Sequence, residues 1–374
     1  MKHRKCTWTI ALSVLAATTG WAQAQPAPAP ADPPPAPVWS MGPVNFSGLI
    51  DGYYSLNFNH PGSGANIYRN FDTKANTFAL NMTKLSLSHD ADPVGFVLDL
   101  GFGPAWDTFH ATDPAGPNTV KYFPQAYVSL KPPKMKGFQL DFGKFYTSAG
   151  AELTETHLGW NYSRALLYAN GPYYHFGLRT SMPVAKDFIA GFQVVNGWNN
   201  LQDNNSGKTV VFTSALTKKR FSWNNHYSVG PEKNGTNQGF RNYYDTVLLL
   251  TPSDKVAAYV NFDYGTEALA GSRGSNDWIG VAFATRFQLP HNWAISPRIE
   301  YYYDKDGFIT GTRQKLKEFT LTAEYKWLEG LLSRFEYRRD WSDQRVFERG
   351  GTPNAWKNQD TLLIGFVGFF GPKR

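Results

Sequence analysis

The chain has one cysteine in 374 residues, Cys6. That argues against a disulfide framework or a thiolate-built metal centre. Long apolar runs are missing as well. A membrane helix needs roughly 18 or more consecutive apolar residues, and no segment supplies them. A large excess of one charge is also lacking. The formal net charge is +7, and it falls to +4 when Lys2, Arg4 and Lys5 are set aside. So modest a balance argues against nucleic acid as a partner. Aromatic residues, by contrast, make up 16% of the chain. An aromatic-rich chain without apolar runs is what alternating strands produce, because each strand keeps one polar face.

The first residues explain the three set-aside cations. Met1 to Lys5 is basic, Trp8 to about Ala17 is apolar, and Ala22-Gln23-Ala24 has small residues around a glutamine. This is the order of a secretory signal peptide over residues 1–24, with cleavage after Ala24. Residues 25–43 are rich in Pro and Ala and read as an extended periplasmic linker. The remaining domain is 44–374.

The clearest pattern lies near the C-terminus. In Ser333 to Trp341, the residues Phe335, Tyr337, Arg339 and Trp341 share one parity and Arg334, Glu336, Arg338 and Asp340 share the other. Successive strand side chains point to opposite faces, so one face is largely aromatic and the other is charged. Phe319 to Trp327 repeats the alternation, with Thr320, Thr322, Glu324 and Lys326 on the polar side. Only Leu328-Glu329-Gly330 separates the two runs, which marks a tight hairpin. In that hairpin Arg334 and Glu336 should meet Glu324 and Lys326. Arg298-Ile299-Glu300-Tyr301-Tyr302-Tyr303-Asp304 repeats the R-x-E-Y-x-x-D pattern of Arg334 to Asp340. Aromatic outside and charged inside is the pattern of a transmembrane β-barrel.

About 16 such strands can be placed between Val44 and Phe370. Their connections alternate between short and long. Short ones include Asp90–Val94, Pro183–Lys186, Thr217–Lys219 and Leu328–Gly330; long ones include His60–Asn76, Pro104–Lys121, Tyr146–Pro172 and Asp343–Lys357. The expected fold is therefore all-β: a transmembrane, antiparallel, up-and-down barrel with short periplasmic turns and long extracellular loops. A soluble sandwich or lectin is the competing fold. In the strand near 77–89 the apolar parity changes after Met82, which predicts a bulge near Thr83.

Several motifs in order are similar to the β-barrel porin-2, OmpL-like family of bacterial outer membranes. They are Asp92-Pro93-Val94-Gly95-Phe96, Gly143-Lys144-Phe145 with Gly150 and Glu152, Asn161-Tyr162-Ser163-Arg164, Tyr174 to Arg179, Val195-Asn196-Gly197-Trp198 and the two R-x-E-Y-x-x-D strands. The resemblance spans Phe46 to Phe370 and implies a porin-like channel in the outer membrane.

Candidate function follows from these faces. Arg298, Glu300, Asp304, Glu324, Lys326, Arg334, Glu336, Arg338 and Asp340 are expected to line a water-filled lumen. Acids outnumber bases on the inward parity, which suggests weak cation preference. The connection Tyr146–Pro172 is too apolar to hang in water and should fold inward as a constriction loop. A short helix over Ser163–Ala169, capped by Asn161 or Ser163, is expected in it. Glu152, Glu155 and Arg164 should project from it into the passage. The expected partners are outer-membrane lipid, small hydrophilic solutes or ions, the outer-membrane assembly machinery, and further copies in a homo-oligomer. No catalytic or metal-binding residues are assigned and no cofactor is expected. The alternatives are a closed barrel that binds a ligand or partner at its surface, and a barrel hydrolase using Ser88-His89, His157, His175 or His226.

Overall fold

We describe a computed structural model of the chain, which covers residues 40–41, 44–113 and 122–371. The expected signal peptide, and the expected linker apart from Ser40 and Met41, lie outside the described residues. Sixteen strands form the wall. They are β1 (Val44–Asn57), β2 (Phe78–His89), β3 (Val94–Phe102), β4 (Ala126–Leu130), β5 (Gln139–Tyr146), β6 (Tyr174–Ala185), β7 (Phe188–Val195) and β8 (Thr209–Lys218). The second half comprises β9 (Phe221–Pro231), β10 (Phe240–Ser253), β11 (Val256–Ala268), β12 (Ser275–Gln288), β13 (Trp293–Asp304), β14 (Gln314–Leu328), β15 (Leu331–Ser342) and β16 (Asn358–Phe370). Each strand pairs antiparallel with the next, and β16 pairs with β1 through Ile364 and Tyr54, which closes the barrel. Closure leaves no free edge, so every wall strand has a ladder partner on both sides.

Period-2 alternation decides which way each side chain points. Phe78, Ile299, Leu321, Phe335, Leu362 and Phe366 are exposed on the outside. At the short-turn end, Trp293, Tyr325 and Trp327 pack in a row, with ring centroids 4.8 and 4.9 Å apart. Such a row suits the membrane–water boundary, where amphipathic rings sit best. The bulge in β2 falls at Asn81, two residues before the expected place. Its effect is to turn both Asn81 and Met82 inward, so Lys84, Ser86 and Ser88 follow on the lumen side.

The apolar core sits inside the barrel. In the connection between β3 and β4, the short helix α1 (Pro104–Phe109) buries Trp106 and Phe109. Phe109 stacks on Tyr173 and Tyr174, both at 5.3 Å, and the Trp106 indole donates to the Thr83 carbonyl. Elements that the sequence pattern did not reveal are α1, a Phe347–Arg349/Thr352–Trp356 hairpin in the last long connection, and the pairing of Ser40–Met41 with the start of β1. Among the described residues no helix is long and apolar enough to cross a membrane.

Candidate functional site

The inward charges of β13 to β15 are arranged in rows set by strand register. Glu300, Glu318 and Asp340 lie directly across from one another on successive strands. The next row holds Arg298, Thr320 and Arg338, and a further row brings Glu324 to Arg334. Like charges placed opposite each other repel. Here each acid row lies beside a basic one. Arg298 reaches Glu318 at 3.2 Å, Arg338 reaches Asp340 at 2.8 Å, and Arg334 reaches Glu324 at 2.8 Å. Arg69, from the connection after β1, also reaches Asp340 at 2.8 Å.

These charges are covered rather than facing open water. Arg298, Arg334 and Arg338 have no exposed surface. The cover is the segment between β5 and β6, residues 147–173, which lies inside the barrel. Its backbone is bound by the wall side chains, with donors and acceptors matched by type. The Glu336 carboxylate accepts from the Tyr162 and Ser163 amides at 2.7 and 3.0 Å. Glu300 accepts from Leu166 and Leu167. Arg334 donates to the carbonyls of Thr156 and Asn161 at 2.6 and 2.9 Å, and to that of Gly159. Arg298 donates to the Ser163 carbonyl at 2.9 Å and Arg338 to that of Arg164 at 2.5 Å. A buried backbone group without a partner is costly, so each of these bonds answers a need of the loop. On the opposite wall the Ser148 hydroxyl contacts His226 Nδ1 at 2.7 Å. Nearby, the Gly150 amide donates to Asp245 at 2.9 Å and the Ala151 amide to Asn261 at 3.0 Å. The loop therefore spans the lumen from β9–β11 to β13–β15.

Two wall glycines make room for it. A Cβ on Gly365 would lie 2.4 Å from the Tyr162 ring, and one on Gly280 would lie 2.8 Å from Leu167. The buried pair Leu166 and Leu167 packs on Tyr243, Trp278 and Tyr302. The helix of the loop, α2 (Leu166–Ala169), is shorter than the expected Ser163–Ala169. Ala165 occupies its N-cap without a side-chain cap, so neither Asn161 nor Ser163 caps it. Asn161 is directed to the wall instead, donating to Thr322 at 2.7 Å.

Glu152, Glu155 and Arg164 do not project into an open passage. Glu152 binds Arg298 at 2.5 Å and accepts from the Ala165 amide. Glu155 pairs with Lys84 and also accepts from Tyr146. Arg164 donates to the carbonyls of Leu153, Tyr162 and Thr154, and so ties the loop to itself. Asp304 accepts from the amides of Phe308, Ile309 and Thr310, which holds the connection beyond β13. Lys326 lies next to the short turn and pairs with Glu329, not Glu336. Register puts Leu332 opposite Lys326 and Thr322 opposite Glu336. Glu318 was legible by parity, since it shares a face with Thr320. Arg69 was not, because it sits in an aperiodic connection. Lys84 follows on the inward side once the bulge is counted, since Leu85 and Leu87 then face outward.

The buried loop groups have shifted acidities. Burial pushes Glu155 up, and Lys84 more than reverses this, leaving its carboxyl below the ordinary range. Burial lowers His157 to about 4, with Lys84, Arg334 and Arg164 adding to the effect and Glu155 opposing it. Burial and Lys144 lower His110, just past α1, to about 3.

The loop separates two cavities. One of about 380 Å³ lies on the long-loop side, against Trp198, Asn200, Arg241 and Phe308. The other, of about 40 Å³, lies on the short-turn side, against Trp160, Asn224, Leu249 and Tyr259. Among the described residues no group of three or more His, Cys, Asp or Glu is arranged to hold a metal ion.

Comparison with solved structures gives the same barrel at low identity. An anion-selective porin from Comamonas acidovorans matches with a TM-score of 0.60 at 12% identity, over 87% of this chain and 99% of that one. OmpT, an outer membrane protein of Vibrio cholerae solved in a trimer form, matches at 0.58 and 13%, over 87% and 99%. The outer membrane channel DcaP of Acinetobacter baumannii matches at 0.58 and 10%, over 88% and 97%. At such identity the likeness shows the fold alone. No curated protein sequence matches the chain. The family model for "Putative beta-barrel porin-2, OmpL-like" matches residues 43–370. The chain therefore belongs to this porin-2, OmpL-like family and is a passive channel of the outer membrane.

Proposed function

We propose that the channel passes small hydrophilic solutes or ions through a narrow path beside the loop of residues 147–173, and that this loop sets the size limit. The observation that carries the reading is the loop held to both walls, with one cavity above it and another below. Arg298, Glu300, Glu324, Arg334, Glu336, Arg338 and Asp340 then act mainly by seating the loop. They would affect ion selectivity through its position more than by direct contact with solute. Deletion of Ala151 to Leu167 tests this. Single-channel conductance should rise and larger sugars should enter in liposome swelling. An unchanged exclusion limit in a folded deletion variant would place the size limit elsewhere.

The closed-barrel reading has one observation in its favour, the complete burial of the three wall arginines. A silent planar bilayer with folded protein would select it. An enzyme reading has weaker support. His226 is brought to Ser148, yet among the described residues its other nitrogen, Nε2, has no hydrogen-bond partner and so no acid orients the ring. We therefore read the chain as a non-enzyme. A homo-oligomer fits the trimer form in which the similar Vibrio cholerae protein was solved. We also assign residues 1–24 to a cleaved signal and 25–43 to a periplasmic linker.

A further inference from the structure

The outer cavity has features that the passive-channel reading does not use. Its volume, about 380 Å³, falls within the range of small-molecule sites. Trp198, Tyr173 and Phe308 give it aromatic surface, and five asparagines give it amides. Its charged groups are fixed. The Arg241 guanidinium lies 4.9 Å from the Trp198 ring and 5.4 Å from that of Phe308, and is anchored on Glu267 at 2.6 Å. Glu232 accepts from the Trp198 amide at 2.8 Å and from the Thr209 hydroxyl at 2.5 Å. Lys233 stands 3.6 Å from Glu267. The charged lining residues are one cation, Arg241, and one carboxylate, Glu232, while Lys233 and Glu267 stand behind the lining, so a charged ligand gains no net advantage. One lining group has no partner among the described residues. Asn200 is 3% exposed, yet its Nδ2 donates to none of them. A buried donor left open costs free energy unless something fills it.

We propose that this cavity binds a neutral sugar of one or two rings at the outer mouth of the channel, with Asn200 donating to a ring hydroxyl or ring oxygen. Amides suit hydroxyls because each can both donate and accept. Aromatic surface suits the apolar C–H face of a pyranose. The inference goes beyond conduction and holds for an open or a closed barrel.

Calorimetric titration of the full chain in detergent with glucose and sucrose tests it, with glucuronate and arginine as charged probes. Saturable binding of at least one neutral sugar is expected, with glucuronate and arginine at least tenfold weaker. Asn200→Asp keeps the shape and replaces the donor by an acceptor, and should weaken binding at least tenfold. Trp198→Ala should do the same. Heat-modifiable mobility on gels shows that each variant is folded. Absence of saturable sugar binding by the folded wild-type chain overturns the proposal. So does tighter binding of a charged probe, or unchanged affinity in both folded variants. Conductance measured in parallel separates the two readings. Channels without sugar binding refute only the mouth site, and sugar binding without channels refutes only the porin mechanism.

Discussion

Acidification should unseat the inner loop, and His157 should report it. His157 sits in the loop and stacks on Phe369 of β16, with ring centroids 4.7 Å apart. Docked, it titrates near 4; freed into water, it would return to about 6.5. The docked pKa is the lower one, so undocking takes up protons. Docking is fully favoured above pH 6.5 and loses stability as pH falls toward 4. At pH 5 the loss is about 2 kcal/mol, or roughly 30-fold in the docking equilibrium. That is an upper figure, because His157 keeps some solvent contact. Glu155 acts in the same direction, but in a lower window, because its carboxyl lies below the ordinary range. The assay is single-channel recording in planar bilayers from pH 7 to 4.5, for the wild type and His157→Gln. Wild-type conductance should rise, or flicker to larger levels, between pH 6 and 5. The variant should lose most of that dependence. Identical pH profiles for the two proteins would refute the reasoning.

Arg334→Ala should leave three loop carbonyls without their donor and Glu324 with Arg286 as its remaining cation; each buried group left unpaired costs about 1–3 kcal/mol. The barrel should remain heat-modifiable while its conductance becomes noisy and larger, as seen in bilayer traces. Gly365→Val should press on the Tyr162 ring, at about 1–3 kcal/mol for overpacking, and should raise the exclusion limit in liposome swelling. Leu321→Arg or Phe335→Arg on the lipid face should cost about 2–4 kcal/mol in folding titrations, against a much smaller effect for Asn224→Arg beside the inner cavity. Thr322→Arg, although on the lumen face, should be costly too, because the Thr322 hydroxyl bonds Asn161 and Glu336. Sequencing the mature protein should find Gln25 as its first residue.

The wall was legible because its rule is local. Alternation placed Phe335 outside and Arg334 inside from neighbouring residues alone, and the short turns marked the strand ends. Arg334 opposite Glu324 also follows from one hairpin. The partner of Glu336 did not, because the hairpin register puts Thr322 there and leaves Lys326 to Glu329. The loop's apolar residues Leu166 and Leu167 signalled burial. The partners Arg298 of Glu152 and Lys84 of Glu155 were beyond reach, since they lie far away in sequence, and Arg164 bonds carbonyls of its own aperiodic loop, which no periodicity marks. Bulges add a second barrier. The bulge expected near Thr83 already puts Lys84 inward, with Leu85 and Leu87 outward, but its place at Asn81 turns Asn81 and Met82 inward as well, which parity alone did not give.

The matching of loop backbone to wall charge bears on how the barrel assembles. Residues 147–173 precede β13–β16, yet Arg334 reaches the Thr156 carbonyl across a separation of 178 residues. Closing so long a span comes late, because chain entropy opposes it until the ends meet. Until then the loop has two short helical segments, Thr156–Leu158 and Leu166–Ala169, and the internal bonds of Arg164 and Glu152, but not the wall side chains that answer the rest of its backbone. The final strands meanwhile pair their inward arginines and carboxylates with one another, but have no loop backbone to bind. Insertion of β13–β16 and seating of the loop should therefore occur as one event. A chain truncated before β13 should leave the loop in water and open to protease, however complete its earlier strands are.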